Sequence, residues 1–457
     1  MDNNLILICD SYKVSHWDLL PDNTTETTFY QEARVGSKFD TIVPFYLQAL
    51  LQKYFVGVVI TQDMIEEANE LFADHFGDSS VFNRAGWEYI VKHHGGKLPV
   101  SIKAVPEGLP VPVGNALLQI TSTDPKCSWL PGYLETILCQ LWHPTAVASQ
   151  GRAIKKIVAY WLEKTGGDMN FLPFMIHDFS ARGVECPEAN EMGCSAHLVN
   201  FMGTDTILAL HTMKKYYGAK CAGYSIRATE HSITTINKRE GEEDFYRKVI
   251  TKYPNGLVAM VMDSYDIDNA FQVIIPKLKD LVLARTGRVV FRPDSGDPSE
   301  MVIKVHNYLG DIFGYTVNEK GYKVLHPKVG VIQGDGMDFN SIGMVLENLA
   351  NAGWSCSNFA MGVGAGLVQK LNRDTLRFAI KLNHAVVDGI GRDVQKMPKT
   401  DPTKASKSGK VKVIAGANGF ETVSENASGE DVMVEVFRDG VMLQTWTLDE
   451  IRARATI

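Results

Sequence analysis

The chain has no CxxC pair, no apolar run long enough to span a bilayer and no GxxxxGK[ST] loop. Each absence removes a class of function. Its seven cysteines, at positions 9, 127, 139, 186, 194, 221 and 356, are scattered and odd in number. That argues against a disulfide framework and fits a reducing cytosol, so a cytoplasmic location is expected. The opening MDNNLILICDSYK places an acidic residue before a short apolar run, the pattern of neither a signal peptide nor a membrane span. Positive charge is scarce: 46 Lys and Arg stand against 53 Asp and Glu, a net charge of −7. Nucleic acid is therefore not expected as a partner, and neither is a membrane. The missing phosphate-binding loop disfavours a P-loop nucleotidase, and no repeat points to a solenoid.

What the chain does have is length and rhythm. Its 457 residues, 45% hydrophobic and 22% charged, are enough for two or three domains around a large core. Thr27–Glu32 alternates as a strand. The periodicity predicts helices over 44–55, 62–76 (closing at Gly77) and 85–94 (ended by Gly95-Gly96). From Val100 to Thr121, β-branched runs broken by Pro and Gly predict antiparallel strands. Two helices are expected over 130–142 and 146–164, with His143-Pro144 breaking the pattern between them. After Gly166-Gly167 strands alternate with helices such as 268–284 and 298–309. Strands are expected near 173–178, 220–226, 257–262, 288–292, 329–333, 357–361 and 376–381. Such alternation predicts parallel pairing, and polar or glycine-rich residues at the strand ends favour a barrel over an open sheet. The expected fold is α/β, an irregular TIM-like (β/α) barrel over 167–384. The C-terminal hairpin DVMVEVF-RDG-VMLQTW lacks a barrel partner, so it is expected to join the N-terminal β segment. That makes a second, discontinuous α+β domain from 1–166 with 385–457.

The chemistry-bearing residues cluster at the predicted strand ends. His177–Thr235 holds HDFSARG, AHLVNFMGTDT and SIRATEHSITT, which place Phe179, Arg182, Asp205, Glu230 and His231 after apolar runs. In α/β folds ligands bind outside the carboxyl ends of strands. Arg292 and Asp294 suit a phosphate or ring face and sugar hydroxyls respectively. Asp297 before Pro298 reads as a helix cap. Gln333-Gly334-Asp335-Gly336 repeats the carboxylate at a strand end, though a tight turn with a solvated Asp accounts for it equally well. Gly362-Val363-Gly364-Ala365-Gly366 opens a helix whose first N–H groups suit a phosphate. His231 is either a structural histidine or, with Asp263 beside it, a base, acid or nucleophile. No metal-ligand spacing stands out.

Taken in order, DSYKVSH, HDFSARG, NFMGTDT, ATEHS, DSYD, RPDSGD, IQGDG and QKLNRD resemble the nicotinamide phosphoribosyltransferase family over nearly the whole chain. The resemblance implies transfer of phosphoribosyl from 5-phosphoribosyl 1-pyrophosphate (PRPP) to nicotinamide in NAD salvage, with Mg²⁺. It also implies ATP as a co-substrate that phosphorylates a histidine, and a homodimer with both active sites at the interface. Phe179 and the partner subunit's Tyr12 would sandwich the pyridine ring, with Arg292 against it and Asp205 accepting from the carboxamide. Asp294, Gly334 and Asp335 would hold the ribose; Gly364, Ala365, Arg182 and the partner subunit's Arg373 would hold the 5′-phosphate. Arg34, Lys381, Lys396 and Lys404 would bind pyrophosphate. His231, with Glu230 and Asp263, would be the phosphorylated residue. Two positions depart from the family pattern: Ser180-Ala181 stands where Gly-Tyr is frequent, and Ala365 replaces a glycine of the phosphate loop. Nicotinate phosphoribosyl transfer and a non-catalytic sugar-phosphate-binding barrel are the competing readings. A carboxylate at Asp205 disfavours nicotinate by like-charge repulsion.

Overall fold

Strand-forming segments collect into two seven-stranded sheets of opposite character in this computed structural model, which describes residues 4–400, 405–417 and 419–457. The chain divides into two compact units. One holds the residues up to Ser149 with Thr212–Ala219 and Leu371–Thr456; the other holds Gln150–His211 and Lys220–Lys370.

The first unit is built on an antiparallel sheet. Its order is Ile390–Asp393, Phe378–Val387, Thr24–Ala33, Ala116–Ser122, Val100–Ala104, Val434–Arg438 and Val441–Met442. The C-terminal hairpin joins the N-terminal strands, with Val434 opposite Ala104. Its helices start and stop where local chemistry dictates. Thr61 Oγ1 accepts from Met64 N at the start of Gln62–Phe76, and Gly77 ends it at φ 65°. Asn83 and Gly95 do the same for Arg84–His94. Pro144 does not separate two helices. A single helix runs Trp142–Lys164, and Pro144 sits in its first turn, where its missing N–H has no intrahelical partner to lose.

The second unit is built on seven parallel strands: β1 (Ile176–Asp178), β2 (Gly203–Thr204), β3 (Arg227–Ala228), β4 (Val258–Val261), β5 (Val289–Arg292), β6 (Val329–Gln333) and β7 (Phe359–Val363). They lie in the order β2-β1-β7-β6-β5-β4-β3. The sheet is curled. Gly203 of β2 bridges in parallel to Tyr224, just before β3, and Tyr224 N donates to Met202 O at 2.7 Å. Ala259, Val290 and Ile332 pack in one layer with Ile226, Ala360 and Phe179. The alternate residues Met260, Phe291, Val331 and Met361 are buried too. Burial of both faces explains why these strands read as unbroken apolar runs.

Two strand expectations are corrected. The segment 376–381 is not a parallel strand; Phe378–Val387 pairs antiparallel with Thr24–Ala33. That pairing moves the C-terminal division from 384 to Leu371, while the N-terminal one falls at Ser149 rather than 166. The two-residue β2 takes the vacated place, and the strand expected over 220–226 forms at Arg227–Ala228. The helix expected after the glycine-rich loop is one turn, Ala365–Val368. No described helix is long and apolar enough to cross a membrane.

Candidate active site

Within the second unit, the carboxyl ends of the strands gather one group of side chains. β1 ends in Asp178, which is fully buried; its Oδ1 accepts from Ser180 N at 2.9 Å and from Ser180 Oγ. This tight turn projects Phe179, whose N–H donates to Val363 O at 3.0 Å. Glycines make room for that ring. A Cβ on Gly362 would lie 2.0 Å from Phe179 Cε2, and one on Gly334 would lie 2.8 Å from Asp294 Oδ1 and 3.5 Å from Arg292 Cδ. Phe179, Arg292 and Asp294 thus converge where Gly334, just after β6, and Gly362 of β7 carry no side chain.

Asp205 follows β2, its N–H held by Asp178 O at 3.0 Å. Its carboxylate is exposed and accepts from Ser225 Oγ at 2.6 Å. His231 begins the short helix after β3, and Nε2 lies 3.0 Å from Asp263 Oδ1. Its Nδ1 is 3.8 Å from Asp294 Oδ2. Asp263 Oδ2 accepts in turn from Asp294 N at 2.9 Å and from Ser295 Oγ. Burial alone would push the Asp263 carboxyl up, but the hydrogen bonds from Ser295, His231 and Asp294 N–H outweigh it and hold it below its ordinary value. It is therefore an ionised acceptor, which in a neutral imidazole favours the tautomer with the proton on Nε2. Asp294 goes the other way. Burial raises it, Arg292 at 3.7 Å opposes the rise, and Asp263 and Asp335 add to it. Glu230 caps the helix from its backbone, and its carboxylate takes the Ser232 hydroxyl, so the expected support of His231 by Glu230 has no direct contact behind it. Asp297 caps Pro298–Phe313 through Glu300 N.

The glycine-rich loop ends in Gly364, which caps the one-turn helix, and Ala365 takes a helical backbone outside the positive-φ region, so its methyl is not strained. Gln150 Nε2 braces the loop through Gly366 O and Leu367 O. Arg182 is exposed on the 3-10 turn after Phe179, and Asp335 is exposed after β6.

The remaining expected residues belong to the first unit. Tyr12 is 60% exposed on the 3-10 helix Ser11–Leu19. Arg34 follows the strand Thr24–Ala33, and Lys381 lies on its neighbour Phe378–Val387. Burial lowers the Lys381 ammonium below its usual value; Glu135 opposes the shift, and Arg34, Lys13 and Lys396 add to it. Arg34 and Lys396 are therefore each close enough to Lys381 to repel its ammonium. Arg373 hydrogen-bonds the Cys139 thiol. Lys404 lies outside the described residues. Among the described residues one group of metal-type ligands occurs, His94, Asp124 and Cys127. Asp124 there already takes His94 Nε2 at 2.8 Å, Tyr89 OH at 3.0 Å and the capping Lys126 N.

Residues 174–440 match the model of the nicotinate phosphoribosyltransferase (NAPRTase) family, and residues 4–102 match the nicotinamide phosphoribosyltransferase N-terminal domain. The chain belongs to the nicotinate phosphoribosyltransferase family. It is 43% identical to the nicotinamide phosphoribosyltransferase of Xanthomonas campestris pv. campestris (strain 8004), over 99% of this chain and 98% of the relative. It is 32% identical to the enzyme of the same name from Acinetobacter baylyi, over 97% and 95%. The nicotinate-nucleotide pyrophosphorylase of Pyrococcus furiosus shares the fold at a TM-score of 0.60 and 16% identity, over 99% of this chain and 95% of that one.

In this phosphoribosyltransferase several residues escaped the sequence reading. Ser225 and Ser295 orient Asp205 and Asp263, and Gly362 admits Phe179. Ser295 lies inside RPDSGD and Gly362 inside the glycine-rich loop, so a motif signal existed for both. Asp178 lies inside HDFSARG, whereas Glu135 gave no signal, because its role is recognisable only through its partners.

Proposed function

We propose that this enzyme is a nicotinamide phosphoribosyltransferase, transferring phosphoribosyl from PRPP to nicotinamide and giving nicotinamide mononucleotide and pyrophosphate for NAD salvage. The observation that carries the substrate choice is Asp205, a carboxylate held by Ser225 on the strand beside Phe179. A carboxamide NH₂ donates to it, whereas a nicotinate carboxylate meets like charge. The names of the relatives support the same choice.

In this reading the ring nitrogen forms a bond to C1 of the ribose while the C1–pyrophosphate bond breaks, with no covalent sugar intermediate. Phe179 and the partner subunit's Tyr12 stack on the pyridine ring, and Arg292 lies against it. Alignment of nitrogen with C1 is the main contribution. Asp294, Gly334 and Asp335 hold the ribose hydroxyls; Gly364, Ala365, Arg182 and the partner subunit's Arg373 hold the 5′-phosphate. Arg34, Lys381, Lys396 and Lys404 receive pyrophosphate and offset its developing charge. Mg²⁺ suits the hard carboxylate oxygens of Asp294 and Asp335, where it would neutralise phosphate charge when bound; the sulfur and imidazole of the His94–Asp124–Cys127 group do not suit it. His231 is the phosphoacceptor. Asp263 keeps the proton on Nε2, and Nδ1 attacks the γ-phosphate of ATP, forming P–N as the bond to ADP breaks. Glu230 carries the backbone that starts this helix.

The parallel sheet, bridged from Gly203 to Tyr224, is read as an irregular TIM-like barrel, with a discontinuous α+β domain from the N- and C-terminal parts. A cytoplasmic homodimer completes the reading.

The test is a product assay with PRPP, Mg²⁺ and nicotinamide or nicotinate in parallel. Nicotinamide should win, and Asp205→Ser should narrow the ratio of kcat/KM values by at least about tenfold, roughly 1.4 kcal/mol. Preference for nicotinate, or an unchanged ratio in the variant, overturns the assignment.

A further inference from the structure

The proposed pyrophosphate residues have an internal counter-ion. Glu135 opens the short helix Glu135–Cys139 in the first unit. Its Oε2 meets the ammonium of Lys13, a buried lysine of the DSYK motif to which the proposed reaction gives no part. Its Oε1 lies 3.8 Å from Lys381 Nζ. The same carboxylate acts electrostatically on Tyr12 and on Cys139, whose thiol is hydrogen-bonded to Arg373. Lys13, Arg34 and Lys396 each act electrostatically on Lys381, and Lys13 and Lys381 both meet Glu135. Glu32, the next carboxylate along, is engaged by Arg34 at 3.8 Å and Lys407 at 3.3 Å.

We propose that Glu135 is a positioning residue that holds Lys13 and Lys381 in place between turnovers and promotes release of pyrophosphate by repelling it. This rests on the pyrophosphate reading of Arg34, Lys381 and Lys396. Closely spaced ammonium groups repel, and one of them is buried, so the ligand-free cluster needs an anion to keep its shape. A fixed carboxylate supplies that anion. It also means that an arriving pyrophosphate gains cations already partly neutralised, so binding is weaker and departure faster than the cation count implies.

The experiment uses the full-length protein with magnesium pyrophosphate as probe. It follows calorimetric affinity together with product inhibition against PRPP. Glu135→Gln should bind pyrophosphate about tenfold more tightly and lower the KM for PRPP, with the KM for nicotinamide unchanged. A purely structural role would not move those constants selectively. Lys381→Ala should weaken pyrophosphate binding at least about tenfold. If Lys381→Ala weakens binding and Glu135→Gln does not tighten it, the counter-ion role is wrong. If neither variant changes pyrophosphate affinity, the pyrophosphate reading itself fails. Because Glu135→Gln leaves the buried Lys13 unpaired, Lys13→Met/Glu135→Gln is compared with Lys13→Met alone. The tighter binding should persist in that pair, and its absence counts against the proposal.

Discussion

A single methyl group on Gly362 tests whether Phe179 positions the reacting base. Gly362 lies in β7 with no positive φ, so an alanine there imposes no backbone strain. The cost falls on the neighbour. The new Cβ would sit 2.0 Å from Phe179 Cε2, 2.2 Å from Cδ2 and 2.8 Å from Cζ. Carbon atoms in contact lie about 3.5–4.0 Å apart, so the ring must move by about 1.5 Å. Overpacking of this kind costs about 1–3 kcal/mol of stability, and a misplacement of about 1 Å in a positioning group costs about a hundredfold in rate. Gly362→Ala should therefore lose about two decades in kcat/KM for nicotinamide at saturating PRPP while remaining folded. Initial rates of pyrophosphate release, with thermal unfolding alongside, measure both. Phe179→Ala provides the control. Once the ring is gone the methyl has room, and adding Gly362→Ala to Phe179→Ala should cost little more. Wild-type kcat/KM in Gly362→Ala, or additive losses in the pair, would refute the reasoning.

Two further outcomes follow from buried and hydrogen-bonded groups. Burial pushes the Glu107 carboxyl from 4.5 up to about 7, against the hydrogen bonds it accepts from Gln48 N and Tyr46 N. A raised carboxyl contributes stability that is full below about pH 4.5 and lost as pH rises to about 7, at most about 3 kcal/mol. Glu107→Gln should flatten thermal stability between pH 5 and pH 8, on the order of the same window, and an unchanged slope counts against the assignment. For His231, γ-labelled ATP should leave an acid-labile, base-stable label on the wild type. His231→Ala should lose that label and any ATP stimulation yet keep weak ATP-independent synthesis; label on the alanine variant removes His231 as the acceptor.

The strands near 257–262, 288–292 and 329–333 were legible because both of their faces are buried and their composition needs no tertiary information. β2 was not, since two residues leave no periodicity to read, and its place depends on Gly203 admitting the His177 ring, which a Cβ would approach to 2.6 Å. The segment 376–381 carried a strand signal but not its sheet: periodicity tells a strand from a helix and is silent on its partner. Pro144 misled because a proline pattern looks alike between two helices and in the first turn of one. At the candidate site, Phe179, His231, Asp263, Arg292 and Asp294 were singled out by their position at strand ends, and His231 and Asp263 stand at hydrogen-bond distance. The orienting serines were missed because a hydroxyl's role depends on a neighbour from another strand.

Charge is divided unevenly between the two units, and the division bears on where the leaving group is received. The strand ends of the second unit bring Asp205, Glu230, Asp263, Asp294 and Asp335 with only Arg182 and Arg292 among the expected site cations. That set suits ribose hydroxyls, an amide and a metal ion, since carboxylates accept from all three or bind them. It is poorly suited to a departing pyrophosphate, whose several negative charges would meet mostly acceptors. Lys13, Arg34, Arg373, Lys381 and Lys396 are all in the first unit. In the proposed reading those cations, and not the strand-end carboxylates, receive the leaving group. The arrangement also explains why the cation cluster carries its own carboxylate. A surface that spends part of each cycle without its polyanion needs Glu135 to hold its shape, and a binding site that must release product gains from not being maximally positive.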